Sequence, residues 1–235
     1  MIDFHSHILP GIDDGSPDEQ ESLSLLKALR EQGVDTVCAT SHFYIDHRSP
    51  ESFLRRRQEA WKRLQAVLPD EAPRILLGAE VLYFPGISHL EELPLLCLQG
   101  TNVLLLEMPF TRWSEAMIRE VKELALSRRV IVLMAHIDRY YYRQRRSVWD
   151  EFLEDDILIQ ANADFFLGTW TKRRALRLLR EGTIQLLGSD CHNITARPPR
   201  LQEACDVIAS SLGTRILRDM DALGRELLGE SVPRR

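Results

Sequence analysis

A single α/β domain built on parallel strands is the fold that the apolar pattern of this chain predicts. Three observations lead there. Short apolar runs are continuous instead of alternating, as in parallel strands buried on both faces. They alternate with helical patterns from one end to the other, so the sheet is either open and doubly wound or closed into a barrel. The 235 residues show no repeat and no low-complexity linker, and that length can bury one substantial core.

In chain order, "MIDFH" is the first strand. Ser16-Pro17-Asp18-Glu19 then offers an N-cap, a proline at the first helical position and a capping-box glutamate, so a helix is expected from Ser16 to Gly33. "VDTVCAT" (34–40) is the second strand, and the same grammar at Ser49-Pro50 opens the helix "SPESFLRRRQEAWKRLQAVLP". "RILLGAE" (74–80) and "NVLLLE" (102–107) are the third and fourth strands, followed by a helix from Ser114. "VIVLMAH" (130–136), "ILIQAN" (157–162) and "IQLLGSD" (184–190) complete seven strands, with helical patterns over 168–181, 199–212 and 214–228. Pro85, Pro94, Pro109 and the Pro198-Pro199 pair punctuate loops without marking a domain boundary.

A formal net charge of −5 from intermixed charges does not suggest a nucleic-acid groove. No apolar run approaches the roughly 20 residues of a membrane span, and acids and histidines stand where a signal peptide needs a basic and then an apolar region. A cytoplasmic location without membrane insertion is expected. Cys38, Cys97, Cys191 and Cys205 show no CxxC pairing and are expected to be free thiols.

The histidines and acids fall where the strands end. His5 and His7 close the first strand, His42 follows the second, Glu80 ends the third and Glu107 the fourth; His136 ends the fifth, and Asp190 with His192 follow the seventh. The C-terminal ends of parallel strands are where such folds gather their active sites. A lone histidine there is most often a hydrogen-bonded packing residue. In an H-x-H pair, however, residues i and i+2 of a strand share a face and can grip one ion. Five of the seven histidines sit at strand ends together with the acids, and that recurrence argues against accident. His47 and His89 fall in loops or helices and are read as ordinary surface residues. Imidazoles and carboxylates without thiolates favour Mn, Fe or Zn, and the eight residues at the strand ends, with one of the neighbours Asp13 and Asp14, make nine candidate ligands, more than one ion needs. Two or three ions sharing carboxylates suit phosphate-ester hydrolysis.

"DFHSHILPGIDDGS", "TSHF", "GAEVLY", "LLEMPF", "MAHIDRY" and "GSDCHN…RPP" together resemble the PHP (polymerase and histidinol phosphatase) superfamily, most closely its bacterial capsular and exopolysaccharide tyrosine-protein phosphatases. The resemblance covers roughly residues 1 to 200. It implies one PHP domain over 1–235, a distorted seven-stranded (β/α) TIM-like barrel, with a trinuclear manganese-preferring centre. In that pattern His5, His7, Glu80 and Asp190 hold one ion, Glu80, Glu107 and His136 a second, and Asp14, His42 and His192 a third. Asp14 would be the ligand from "GIDDG" and Asp13 would orient the loop or assist the leaving group; the sequence does not separate the two neighbours. Arg139 and Arg197 match positions of phosphate-binding arginines, whose guanidinium forks suit phosphate oxygens. The implied reaction is in-line attack by a metal-bridging hydroxide on phosphotyrosine, with no phosphoenzyme, and the implied partner is the phosphotyrosine tail of a bacterial capsule-assembly kinase.

Other readings are weighed beside this one. Cys191 to Arg197 fits C-x5-R, the signature of cysteine-dependent tyrosine phosphatases, but the segment has no glycine and is interleaved with expected metal ligands. Amidohydrolases also open with H-x-H, yet typically carry a lysine and a histidine where this chain has Glu107 and Asn162. A histidinol-phosphate type of phosphatase and a non-catalytic metal-binding scaffold are the remaining alternatives. "RYYYRQRRS" (139–147) is either a basic, aromatic lip for a phosphopeptide or a solvated loop and helix start, and Asn162 is a candidate pocket residue.

Overall fold

The structure, a computed structural model, describes residues 1–230, so the expected domain end at residue 235 lies outside the described residues. Nine strands form two parallel sheets. The smaller has the order β1-β2-β4, from β1 (Ile2–Ser6), β2 (Thr36–Ala39) and β4 (Arg74–Leu77). The larger runs β3-β5-β6-β7-β8-β9, from β3 (His42–Phe43), β5 (Glu80–Leu82), β6 (Val103–Glu107), β7 (Ile131–Met134), β8 (Leu158–Asn162) and β9 (Leu186–Gly188). Each apolar run of the sequence supplies strand, but the third divides into β4 and β5 and a further short strand, β3, follows the second run, so nine strands stand where seven were expected. The two segments stay side by side across the break: Gly78 N–H donates to Ala39 O at 2.9 Å, and Glu80 N–H to Ser41 O at 3.0 Å. At the other edge β1 packs beside β9, with Asp190 N–H donating to His5 O (2.7 Å) and His7 N–H to Cys191 O (3.0 Å).

The two sheets curl around a shared apolar interior. Ile2, Phe4, Cys38 and Leu76 from one pack with Val103, Leu105, Leu133 and Leu186 from the other. Because side chains along a strand alternate between faces, the same face of β6 carries Glu107 two residues beyond Leu105, while Glu80 opens β5 just past the end of β4 and Asp190 follows the end of β9. Apolar side chains fill the lower interior and carboxylates ring its C-terminal mouth. A register irregularity in β1 between Asp3 and Ser6 falls where the inward set changes from Ile2 and Phe4 to His5 and His7, the work expected of a bulge.

Helices cover the outside. α1 (Glu19–Glu31) starts two residues later than expected: Asp18 is its N-cap and accepts from Glu21 N–H, while Ser16 is buried and bonded to Ser22 Oγ at 2.8 Å. An acid four bonds from its backbone nitrogen caps as well as a serine, and here it displaces the serine inward. α2 (Pro50–Gln65) and α4 (Glu115–Leu126) are capped by Ser49 and Ser114, as their sequences indicate. Between them lies the single turn α3 (Leu93–Leu96). α5 (Arg146–Glu154), α6 (Ala163–Leu167), α7 (Lys172–Arg180), α8 (Leu201–Leu212) and α9 (Thr214–Leu227) follow. Their apolar stripes, such as Leu25 and Leu29 of α1 or Phe53 and Leu64 of α2, build the layer between helices and strands. α9 lies under the N-terminal mouth, where Leu228 joins the inner cluster and Gly224 sits so close to the Phe4 ring that a Cβ would come within 2.8 Å. All four cysteines are free and buried, and no helix among the described residues is long and apolar enough to cross a membrane.

Candidate metal centre

Ladder register does much of the placing. His42 is the pairing partner of Glu80, and Leu82 that of Glu107, so adjacent strands present an imidazole and two carboxylates side by side. Two other members sit on backbone that non-glycine residues seldom adopt: His136 has φ 30° and Asp190 φ 53°. Such geometry concentrates at functional sites, where the surrounding structure holds it. It turns both side chains into the mouth just as their strands end.

All nine expected ligands converge. The Nε2 atoms of His5 and His7 are 3.1 Å apart, and Glu80 Oε2 lies 3.1 Å from the first and 3.3 Å from the second. Asp190 Oδ1 stands 3.6 and 3.4 Å from the same two nitrogens. The other Glu80 oxygen meets His136 Nε2 at 2.7 Å, with Glu107 Oε1 3.5 Å from that nitrogen. His42 Nδ1 lies 2.9 Å from Glu80 Oε2, while His42 Nε2 and His192 Nε2 face Asp14 Oδ1 at 3.3 and 3.5 Å. Four groups have ligand atoms mutually within 4.8 Å: His7-Asp14-His42-His192, His5-His7-Asp190, His5-Glu80-His136 and His42-Glu80-Glu107. Glu80 belongs to two of them.

The neighbours Asp13 and Asp14 separate clearly. Asp14 is exposed and points into the mouth. Asp13 accepts from His7 Nδ1 (2.9 Å) and from the backbone N–H groups of Gly15 (3.0 Å) and His42 (3.0 Å), and stands in none of the four groups. It fixes the ring of His7 from behind, the usual task of a carboxylate next to a ligating imidazole. Gly15 explains the end of "GIDDG": a Cβ there would lie 2.3 Å from His7 O.

Such a concentration of buried charge shifts the protons of several of these groups. Burial alone would push Glu80 and Asp190 up, yet His5 and its neighbouring histidines hold both well below the usual carboxylate range. Burial likewise opposes charge on His5 and His7, but Glu80 and Asp190 raise the first, and Asp13 with them raises the second. Glu107 is pushed up to about 7 by burial and by the charge of Glu80. His192 is lowered to about 4 by burial, His7 and Arg197. Despite these contacts, Glu80 Oε2, His42 Nδ1, His136 Nδ1 and His192 Nε2 are buried without a well-formed hydrogen bond. Buried polar atoms are seldom left so. Several lone pairs aimed at common points, with acids outnumbering available protons, suit divalent cations, and the N/O donor set suits Mn, Fe or Zn.

Arg139 and Arg197 both reach Asp190 Oδ2, at 2.6 and 2.8 Å, and Asn162 Nδ2 donates to the same oxygen at 2.9 Å. Asp190 thus shows one oxygen to the histidines and the other to the arginines. A cleft of about 170 Å³ opens beside them, lined by Asp138, Arg139, Asn162, Ser189 and Arg197. A second, of about 300 Å³, lies on the far side by Asp14, His42, Tyr44 and Arg48.

The sequence did not single out Gln160, which is wholly buried, accepts from His136 N–H at 2.6 Å and donates to Asn162 Oδ1 at 3.0 Å. A glutamine inside a continuous apolar strand was the available signal. Phe110, 45% exposed, also emerges only here: its ring lies 6.0 Å from His136 and has the Arg139 guanidinium 5.5 Å from its centre. Cys191 is fully buried and pushed up to about 12 by burial, and its neighbourhood forms a bridge to Ser6 in place of a phosphate-wrapping loop. The C-x5-R match is therefore coincidental.

Comparison with known proteins places this geometry. The chain is 28% identical over 226 residues to the tyrosine-protein phosphatase YwqE of Bacillus subtilis, covering 92% of this chain and 87% of that protein. It is 31% identical over 233 residues to the tyrosine-protein phosphatase CpsB of Streptococcus agalactiae, covering 91% of each. It matches a solved structure from crystallographic work on YwqE of Bacillus subtilis and CpsB of Streptococcus pneumoniae, described as unique metal-dependent tyrosine phosphatases, with a TM-score of 0.84 at 26% identity over 100% of this chain and 97% of that one. An amidohydrolase structure shares the fold alone, with a TM-score of 0.56 at 14% identity over 97% of this chain and 74% of that one. A family match to capsular polysaccharide synthesis proteins, CpsB/CapC, spans residues 1–223 and takes in every expected ligand, so the chain belongs to the CpsB/CapC family.

Proposed function

We propose that this chain is a metal-dependent protein-tyrosine phosphatase: one cytoplasmic PHP domain, folded as a distorted seven-stranded (β/α) barrel, that dephosphorylates the phosphotyrosine tail of a bacterial capsule-assembly kinase. The observation that carries the reading is the convergence of His5, His7, Asp14, His42, Glu80, Glu107, His136, Asp190 and His192 on four adjoining ligand groups. Three ions would occupy them, with Glu80 shared, and manganese is the expected metal, iron or zinc being compatible with the same donors. Bound there, divalent cations supply Lewis acidity and a water activated for attack on phosphorus.

The chain's own residues do the rest. Arg139 and Arg197, both held by Asp190, stand where two guanidinium forks can take the equatorial phosphoryl oxygens and the charge that grows on them. Asn162 keeps Asp190 from rotating away. Phe110 offers an aromatic face beside Arg139 for the phenol ring. Asp13 positions His7 and, as a carboxylate held strongly ionised, acts as an acceptor and not as a proton donor. Phenolate, with a pKa near 10, leaves with little help from an acid.

The test compares phosphate release from phosphotyrosine, phosphoserine and histidinol phosphate by manganese-loaded protein. Preference for phosphotyrosine, lost on chelation, is the expected result. Equal rates on all three would remove the assignment to tyrosine, and no turnover with intact metal binding would leave a scaffold.

A further inference from the structure

The strongest feature outside the metal centre is a basic, aromatic shelf on its rim. Residues 139–146 carry Arg139, Arg143, Arg145 and Arg146, and residues 170–174 carry Lys172, Arg173 and Arg174; neither stretch contains an acid. The chain as a whole nets −5, so these seven cations stand out against a strongly acidic remainder. Both stretches follow strand ends on the same side, after β7 and β8 respectively. They meet directly: the Arg174 guanidinium lies 5.1 Å from the centre of the Tyr141 ring and 4.3 Å from that of Tyr142.

Charges on a surface are ordinarily balanced by neighbours, and several here are not. Arg139 is taken by Asp190, and Arg146 lies 3.9 and 3.8 Å from Asp150 and Glu181. Among the described residues, Arg143, Arg145, Lys172, Arg173 and Arg174 have no carboxylate within 4.0 Å. Beside them Tyr142 is 60% and Trp170 93% exposed, although large aromatic rings are costly to leave in water. Unpaired guanidinium groups with exposed rings make a surface for a partner that is anionic and peptide-like. Tyr141 follows Arg139 by two residues, at most about 7 Å of chain, so the shelf lies within a few residues' reach of a peptide whose phosphate sits by Arg139.

We infer that this shelf docks an acidic peptide segment flanking the phosphotyrosine, and thereby selects among phosphoproteins. This rests on the phosphatase reading above. A short acidic segment fits better than a long polyanion, because the surface beyond the shelf repels further negative charge.

The test uses manganese-loaded full-length protein, the triple variant R143E/R145E/R173E, and phosphotyrosine peptides with acidic, alanine or lysine flanks. These three arginines are exposed and outside the metal centre, and circular dichroism verifies that the variant folds. The expected result is a KM for the acid-flanked peptide raised about tenfold or more, with kcat and p-nitrophenyl phosphate turnover within about twofold of wild type, and a gain for the lysine-flanked peptide. An unchanged KM, or a wild type indifferent to flanking charge, overturns the inference. Tighter binding of a single-stranded oligonucleotide than of the acidic peptide, abolished in the same variant, overturns it in favour of nucleic acid. If the wild type hydrolyses none of these substrates, the phosphatase reading falls; fluorescence anisotropy of the labelled acid-flanked peptide, with and without the three reversals, then decides the shelf independently.

Discussion

At the scale of single residues, the centre depends on side chains whose partners lie behind them. His7 has one nitrogen in the mouth and the other on Asp13, which is in turn held by two backbone N–H groups. Asp190 divides its two oxygens between histidines and arginines. Such arrangements fix ring orientation and remove rotamer freedom before a ligand arrives. The same scale disposes of the thiol chemistry that C-x5-R would suggest. A nucleophilic cysteine needs a lowered pKa and an accessible sulfur, whereas Cys191 is buried and pushed up to about 12. Cys191→Ser is expected to keep phosphotyrosine turnover within about threefold of wild type, since a serine hydroxyl fits the volume and the mechanism makes no use of sulfur. A loss beyond a hundredfold, in a variant that still binds manganese, would return the cysteine mechanism to consideration.

At the scale of elements, the strand ends act through their register and through one close approach of backbone. The pairing of β3 with β5 and of β5 with β6 sets His42, Glu80 and Glu107 next to one another. Gly188, the last residue of β9, lies against His5: a Cβ there would come 2.5 Å from His5 Cβ and 2.7 Å from Gln160 Nε2. No side chain can share that space, and the requirement is steric and not one of backbone dihedral. Gly188→Ala is therefore expected to push β1 and β8 apart at the mouth, weakening manganese binding by about tenfold or more and destabilising the fold by about 1–3 kcal/mol. Manganese titration and thermal unfolding of the metal-free protein measure the two effects separately. Unaltered affinity would mean that His5 does not need β9 where it lies.

At the scale of the whole molecule, two sheets and a ring of helices exist to bury charge at one end and hydrocarbon at the other. Leu105, Leu133 and Leu186 fill the interior below the ring of acids, and the low dielectric there strengthens every interaction above it. Metal-free, the centre stores protons. His5 and His7 sit above the usual imidazole pKa because Glu80, Asp190 and Asp13 favour their charged forms, so their contribution to stability is full below the unfolded imidazole value and fades as pH rises through the folded one. Glu80 and Asp190, held low, contribute above the unfolded carboxyl value and lose that contribution as pH falls through their folded values. A cation must expel the imidazolium protons before it binds. Manganese loading is expected to release protons near neutral pH, and its stabilisation of the protein to be larger at pH 8 than at pH 6. Calorimetry in buffers of different ionisation enthalpy and melting curves at the two pH values check this; proton uptake on loading would contradict it.

Much of this was legible in order along the chain. Continuous apolar runs between helical patterns can be satisfied only by parallel strands covered on both faces, and polar residues at their C-terminal ends then have one common place to go. That reasoning placed His5, His7, His42, Glu80, Glu107, His136, Asp190 and His192 at one rim, where the structure groups their ligand atoms, because it needs only period and position; Asp14 and the two arginines came from the family resemblance. It could not separate Asp13 from Asp14, since adjacent residues differ in direction and direction is set by the contacts of His7 and His42. Nor could it find Gln160, whose importance lies in its bond to His136, 24 positions away, or foresee the division of the third strand and the extra short strand at His42–Phe43. Residue type and periodicity are properties of the chain alone, whereas which oxygen meets which nitrogen is decided by packing, once distant strands are pressed to within a few ångströms of one another.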